Sequence, residues 1–150
     1  MSSARADLVS YWEFDGNALD TAPGGVNDGT LFGPTFSGDV PAAIGGGSSL
    51  SLVGPGSYVG IPANASLNSS AFTLSYWLKD PGQLDGGGVS TSAGHNRITS
   101  RGSDSFETSV SNAATASLPD SSRLKFYAGG WVTTTGTTKP AGWTHVAYVA

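Results

Sequence analysis

Apolar residues along this chain recur at every second position, in short runs closed by glycine, proline and asparagine. From Leu8 to Phe14, the residues Leu8, Ser10, Trp12 and Phe14 face one way, and Val9, Tyr11 and Glu13 the other. Ala71 to Lys79, "AFTLSYWLK", sets Phe72, Leu74, Tyr76 and Leu78 on one face. Ser49 to Val53 and Ser57 to Ile61 flank Gly54-Pro55-Gly56, a turn written in the two strongest breakers. Further strands are predicted at Thr30 to Phe32, Arg97 to Ser100, Phe106 to Val110, Arg123 to Ala128, Trp131 to Thr135 and Gly142 to Ala150. Asp80 to Asn96 is a Gly/Ser-rich loop long enough to suggest function. No apolar period of 3.6 persists for three turns of helix. Many short strands without helices predict an all-β fold of two antiparallel sheets packed face to face, a β-sandwich.

Composition narrows the class of partner. Only 12% of the 150 residues are charged, the net charge is −4, and no Lys/Arg run occurs. Phosphate binding needs clustered cations, so nucleic acid is not expected. No stretch approaches the roughly 20 apolar residues of a membrane-spanning helix. Glycine, at 22 residues, is about twice its usual share of roughly 7%, as turn-rich β-proteins require. There is no cysteine, which removes disulfides, thiolate metal sites and cysteine nucleophiles. Ala4-Arg5-Ala6 has the A-x-A form that signal peptidase cleaves, so residues 1–6 read as a signal-peptide remnant or a short leader. The domain proper is expected over 7–150, in a secreted or cell-surface protein.

Two constellations carry candidate chemistry. Asp15, Asn17, Asp20, Asn27 and Asp28 gather five oxygen-bearing side chains within fourteen residues of Gly-rich turns. Calcium wants several such oxygens on a flexible loop. Asp and Asn also populate turns because they tolerate the left-handed region and cap the backbone. The second constellation is aromatic. Trp131 follows Gly129-Gly130 beside polar Thr133 to Thr138, and with Tyr127 it forms a candidate platform for a sugar. His95 and Asn96, at the end of the long loop, are the accompanying polar candidates. Serines abound, but no G-x-S-x-G is present to suggest a serine nucleophile. Asn64-Ala65-Ser66 and Asn68-Ser69-Ser70 fit the glycosylation acceptor pattern, which matters only in a eukaryotic source.

Three phrases suggest a family. "LVSYWEFDGNALDTAPGGVNDGTL" (8–31), "SLSLVGPGSYVGIPANASLNSSAFTLSYWLK" (49–79) and "LKFYAGG…TTTKPAGWTHVAYVA" (124–150) occur in order along the chain. Together they resemble a bacterial exported LamG-like jelly-roll domain of the concanavalin A-like lectin/glucanase superfamily. The resemblance implies a jelly-roll sandwich, with Trp12, Trp77 and Trp143 buried and His145 hydrogen-bonded inside it. It makes calcium at the sandwich rim plausible. It also implies that the strand at residues 143–150 is followed in the family by closing strands, so the chain corresponds to the N-terminal two thirds of the pattern. Either those strands or a neighbouring chain would pair with 143–150.

The superfamily includes glucanases, whose E-x-D-x-x-E motif sets alternate carboxylates toward the sugar. Here Glu13-Phe14-Asp15 begins that motif, and Ala18 stands where its acid/base Glu should be. The other glutamate, Glu107, lies in an unrelated segment. The expected function is therefore non-catalytic: an exported recognition or adhesion module binding glycans or an extracellular protein through rim loops. The alternative is a structural subunit of a surface assembly, joined through an open sheet edge, with a glycoside hydrolase fragment third.

Overall fold

The structure, a computed structural model, describes residues 7–52, 56–79, 95–101, 106–111, 124–127, 131–133 and 142–150. Ten strands occur in these residues: β1 (Thr30–Phe32), β2 (Thr35–Ser37), β3 (Ser49–Ser51), β4 (Tyr58–Gly60), β5 (Thr73–Leu78), β6 (His95–Arg101), β7 (Phe106–Ser111), β8 (Leu124–Tyr127), β9 (Trp131–Thr133) and β10 (Thr144–Val149). The only helical element described is one 3-10 turn at Ala65–Leu67. The all-β class read from the alternation holds, and every sheet described is small and antiparallel. The chain divides into two compact units, Met1–Ser70 and Ala71–Ala150.

In the first unit, β1 pairs β4 and β2 pairs β3, each over three residues. The strand expected from Leu8 to Phe14 does not form. Its alternation survives, because Ser10, Trp12 and Phe14 are half-buried while Val9, Tyr11 and Glu13 are exposed. Among the described residues no strand pairs with it: the segment makes one isolated bridge, Trp12 to Asp20. The backbone of Tyr11 turns instead to the Asp20 side chain and to Thr21. Phe14 then adopts φ 56°, unusual for a bulky residue, and the extended run ends there.

In the second unit, β6-β7-β8-β9 form an antiparallel meander, and β5 pairs β10 in a separate ribbon. The ribbon's register sets Val146 opposite Tyr76 and Tyr148 opposite Leu74. Tyr76, Val146 and Tyr148, with Leu78, face inward and pack with Leu124, Ile98 and Phe126 of the meander. Phe126 stacks on Tyr148 with ring centroids 5.0 Å apart. Phe72 packs on Phe106 at 5.2 Å.

A polar contact runs through this core. Thr108 is fully buried, and its hydroxyl accepts from Tyr76 Oη at 3.1 Å and is hydrogen-bonded to Thr99 Oγ1 at 2.6 Å. Burial pushes the Tyr76 and Tyr148 phenols above their ordinary range, so both stay neutral. Tyr148 Oη is close enough to Tyr76 to feel it electrostatically, yet among the described residues it makes no hydrogen bond.

The two tyrosines should therefore respond differently to loss of the hydroxyl. Tyr76→Phe removes one of the two hydrogen bonds of the buried Thr108 hydroxyl and should cost about 1 kcal/mol in urea unfolding. Tyr148→Phe removes a buried hydroxyl with no partner and should be neutral or slightly stabilising. Equal costs for both would refute this account of the core.

Candidate functional site

Asp20 sits at the centre of the first unit's loop cluster. Its Oδ1 accepts from Tyr11 N at 2.9 Å and from Ala22 N at 3.2 Å, and its Oδ2 accepts from Asn27 N at 3.2 Å. Asp20's own N–H donates to Asp28 Oδ1 at 2.8 Å. Desolvation would raise the Asp20 pKa, but the backbone donors of Tyr11, Ala22 and Asn27 outweigh it. They hold the carboxyl below its ordinary value of 3.8.

The close approach of the backbone here requires glycine at 25. A Cβ on Gly25 would collide with the carbonyl oxygen of Asp20 and lie 2.8 Å from its Cγ.

Asn27, 1% exposed, uses both ends of its amide. Its Nδ2 donates to Ser10 Oγ at 2.7 Å and to Ser66 Oγ at 3.0 Å, while its Oδ1 accepts from Ser66 at 3.2 Å. Its carbonyl accepts the Trp12 indole N–H at 2.9 Å. Ser66 itself lies in the 3-10 turn that Asn64 caps. One asparagine thus ties the first segment, the middle loop and the 3-10 turn together.

The five residues read as calcium ligands are divided by these bonds. Asp20, Asn27 and Asp28 form one network, as described. Asp15 instead accepts from Ser48 Oγ at 3.0 Å, and Asn17 closes a local turn through Leu19 N at 2.9 Å. Among the described residues, no three acidic or histidine side chains group as metal ligands. The side chains of Asn17, Asp20 and Asp28 accept from backbone N–H groups, whereas those of Asp15 and Asn27 bond serine hydroxyls.

The four ligand-binding candidates fall on the meander and separate into two pairs. Tyr127 stands opposite Trp131 across β8 and β9, in the row that also holds Glu107 and Ser100. His95 and Asn96 begin β6, at the rows of Ser111 and Val110. They belong to a strand rather than to the end of a loop. Asn96's row and Tyr127's row are three apart on the sheet, about 10 Å along the strands. One compact set of four is not formed. Glu107 is buried in the second unit and Glu13 is exposed in the first.

A different aromatic site appears on the solvent face of the β5·β10 ribbon. Trp77 is 37% exposed and packs on exposed His145 directly across the ladder, with ring centroids 5.3 Å apart and planes tilted by 57°. This corrects the expectation that Trp77 and His145 lie inside; Trp12 and Trp143 are half-buried. The signal was present in the sequence. Alternation that sends Leu74, Tyr76 and Leu78 inward must send Trp77 outward. Beside the pair lie Ser75 and Ala147, small and exposed, so one side of the indole is not crowded by larger neighbours. The chain matches no protein-family model, no curated protein and no solved structure.

Asp20→Asn should lower stability by about 1–3 kcal/mol, measured in chelator, because it weakens three charge-assisted bonds. A loss seen only when calcium is added would instead assign the cluster to an ion. The depressed pKa sets the sign with pH. The Asp20 contribution is complete above the ordinary carboxylate value of 3.8 and is lost as pH falls through the lower folded value. Acid titration of Asp20→Asn should lack that component. Gly25→Ala should destabilise by about 1–3 kcal/mol through the same contact, and a neutral result would contradict the packing described.

Proposed function

We propose that this chain is a non-catalytic recognition module of the β-sandwich, jelly-roll type, exported to the cell surface or beyond it, which binds glycans. The observation that carries the reading is the exposed Trp77–His145 pair on a ribbon whose other face is core. An indole held by a cross-strand partner loses little entropy on binding and offers its face to the C–H surface of a sugar ring. Ser75 and His145 supply hydroxyl and imidazole groups beside it for sugar hydroxyls. Low charge agrees with a neutral glycan rather than an anionic polymer. The ladder sets the Tyr127 and Trp131 positions opposite one another on the meander, a second candidate place for a sugar under the same reading. The LamG resemblance points the same way. The broken carboxylate motif, with Ala18 in place of Glu, supports binding without hydrolysis.

Affinity electrophoresis tests this, in gels containing a soluble β-1,3-glucan, a xylan or a mannan. The protein should be retarded in at least one gel, and Trp77→Ala should lose about 1–3 kcal/mol of that binding while keeping its melting temperature. Migration unaffected by all three polymers, or retardation that Trp77→Ala leaves unchanged, would remove the proposal. Release of reducing sugar that Glu13→Gln abolishes would replace it with a hydrolase.

A further inference from the structure

The ribbon has an edge as well as a face. Phe72 and Ala150 exchange two backbone hydrogen bonds, at 3.1 and 3.0 Å, and so form a narrow pair of the ladder. Narrow and wide pairs alternate in an antiparallel ladder, so Tyr148, Val146 and Thr144 spend their backbone groups on β5. The N–H and C=O groups of Val149, Ala147 and His145 point the other way. Among the described residues, no strand pairs with β10 on that side.

The strand itself carries none of the residues that usually protect an edge. From Thr144 to Val149 there is no Lys, Asp, Glu, Pro or Gly. β5, the other edge of the ribbon, runs directly into Lys79-Asp80 in the sequence. A charge beside a strand end discourages pairing there.

The geometry points to antiparallel self-pairing of β10 with a second copy of this chain, about a two-fold axis through Ala147. In this register Ala147 meets Ala147, His145 meets Val149, and about six backbone bonds form from the three outward residues of each copy. The inward face then sets Val146 beside Tyr148 of the second copy, twice. That is the aromatic–β-branched pairing β10 already makes with β5, where Val146 stands opposite Tyr76. The small Ala147 side chains leave the axis free of bulk, and no charge of either copy lies in the six-residue edge. Self-complementarity of this kind favours a second copy over an unrelated strand. One strand pair covers much less than the roughly 800 Å² per partner of a standard interface, so the dimer is weak, in the micromolar range. The inference does not depend on what the Trp77 face binds.

Sedimentation equilibrium without any glycan tests it. Across about 5–500 μM, the average mass should rise from the 15.1 kDa of the monomer toward twice that value. Ala147→Lys and Ala147→Asp, each placing like charges opposite one another at the axis, should remain monomeric with unchanged far-UV circular dichroism. Mixing the two variants should restore association, which a merely damaged fold would not do. A monomer at every concentration overturns the proposal. So does association that persists in Ala147→Lys alone, or a mixture of the two folded variants that stays monomeric.

Discussion

The first unit depends on one carboxylate. Among its described residues, the buried side chains are Ala18, Asp20, Ala22, Asn27 and Pro41, and none is a large hydrophobe. Leu8, Val9, Tyr11, Leu19 and Val26 are exposed instead. Apolar burial at about 25 cal/mol per Å² cannot be the main restraint on this loop cluster. The restraint is directional: Asp20 accepts three backbone N–H groups from three separate points of the chain, and Asn27 carries the connection on to Ser66. A buried polar network is favourable only when its members are satisfied, and these are. The need to bring backbone within reach of Asp20 explains Gly25 and the abandoned strand at Leu8 to Phe14 together.

The second unit solves the same problem with packing. Leu124, Val146 and Tyr148 form a conventional apolar centre, and Thr108, Thr99 and Tyr76 bring a satisfied polar contact into it. Because the core takes one face of β5 and β10, the other face is set by the pleat, and so are the backbone groups of the free edge. The recognition proposed for Trp77 and the association proposed through Ala147 both rest on which way alternate residues point.

Much of the fold was legible in the sequence because period-two alternation is local. Phe72 to Leu78 declared its inward face directly, whereas the face of Thr144–Val149 was misread with His145 inside; strand positions from Thr30 onward were placed to within a few residues, β2 excepted. β2 escaped because Thr35–Ser37 is three residues long, too short to alternate visibly. The strand at Leu8 failed for a non-local reason, since alternation does not reveal whether a ladder partner exists. The site was less legible. Asp15 to Asp28 advertised oxygen atoms, but composition does not say whether backbone N–H groups will claim them. Trp77 was misplaced by giving the resemblance precedence over the pleat.

The pairing of β5 with β10 also orders the folding of the second unit in time. Residues 79–143 lie between the two strands, whereas β6 to β9 are neighbours in sequence and in space. Closing the long loop carries a larger entropic cost than closing each hairpin of the meander, so the meander is favoured to assemble first. Until β10 docks, Leu74, Tyr76 and Leu78 have no ladder to fix them, and the most apolar strand of the unit is the last to find its place.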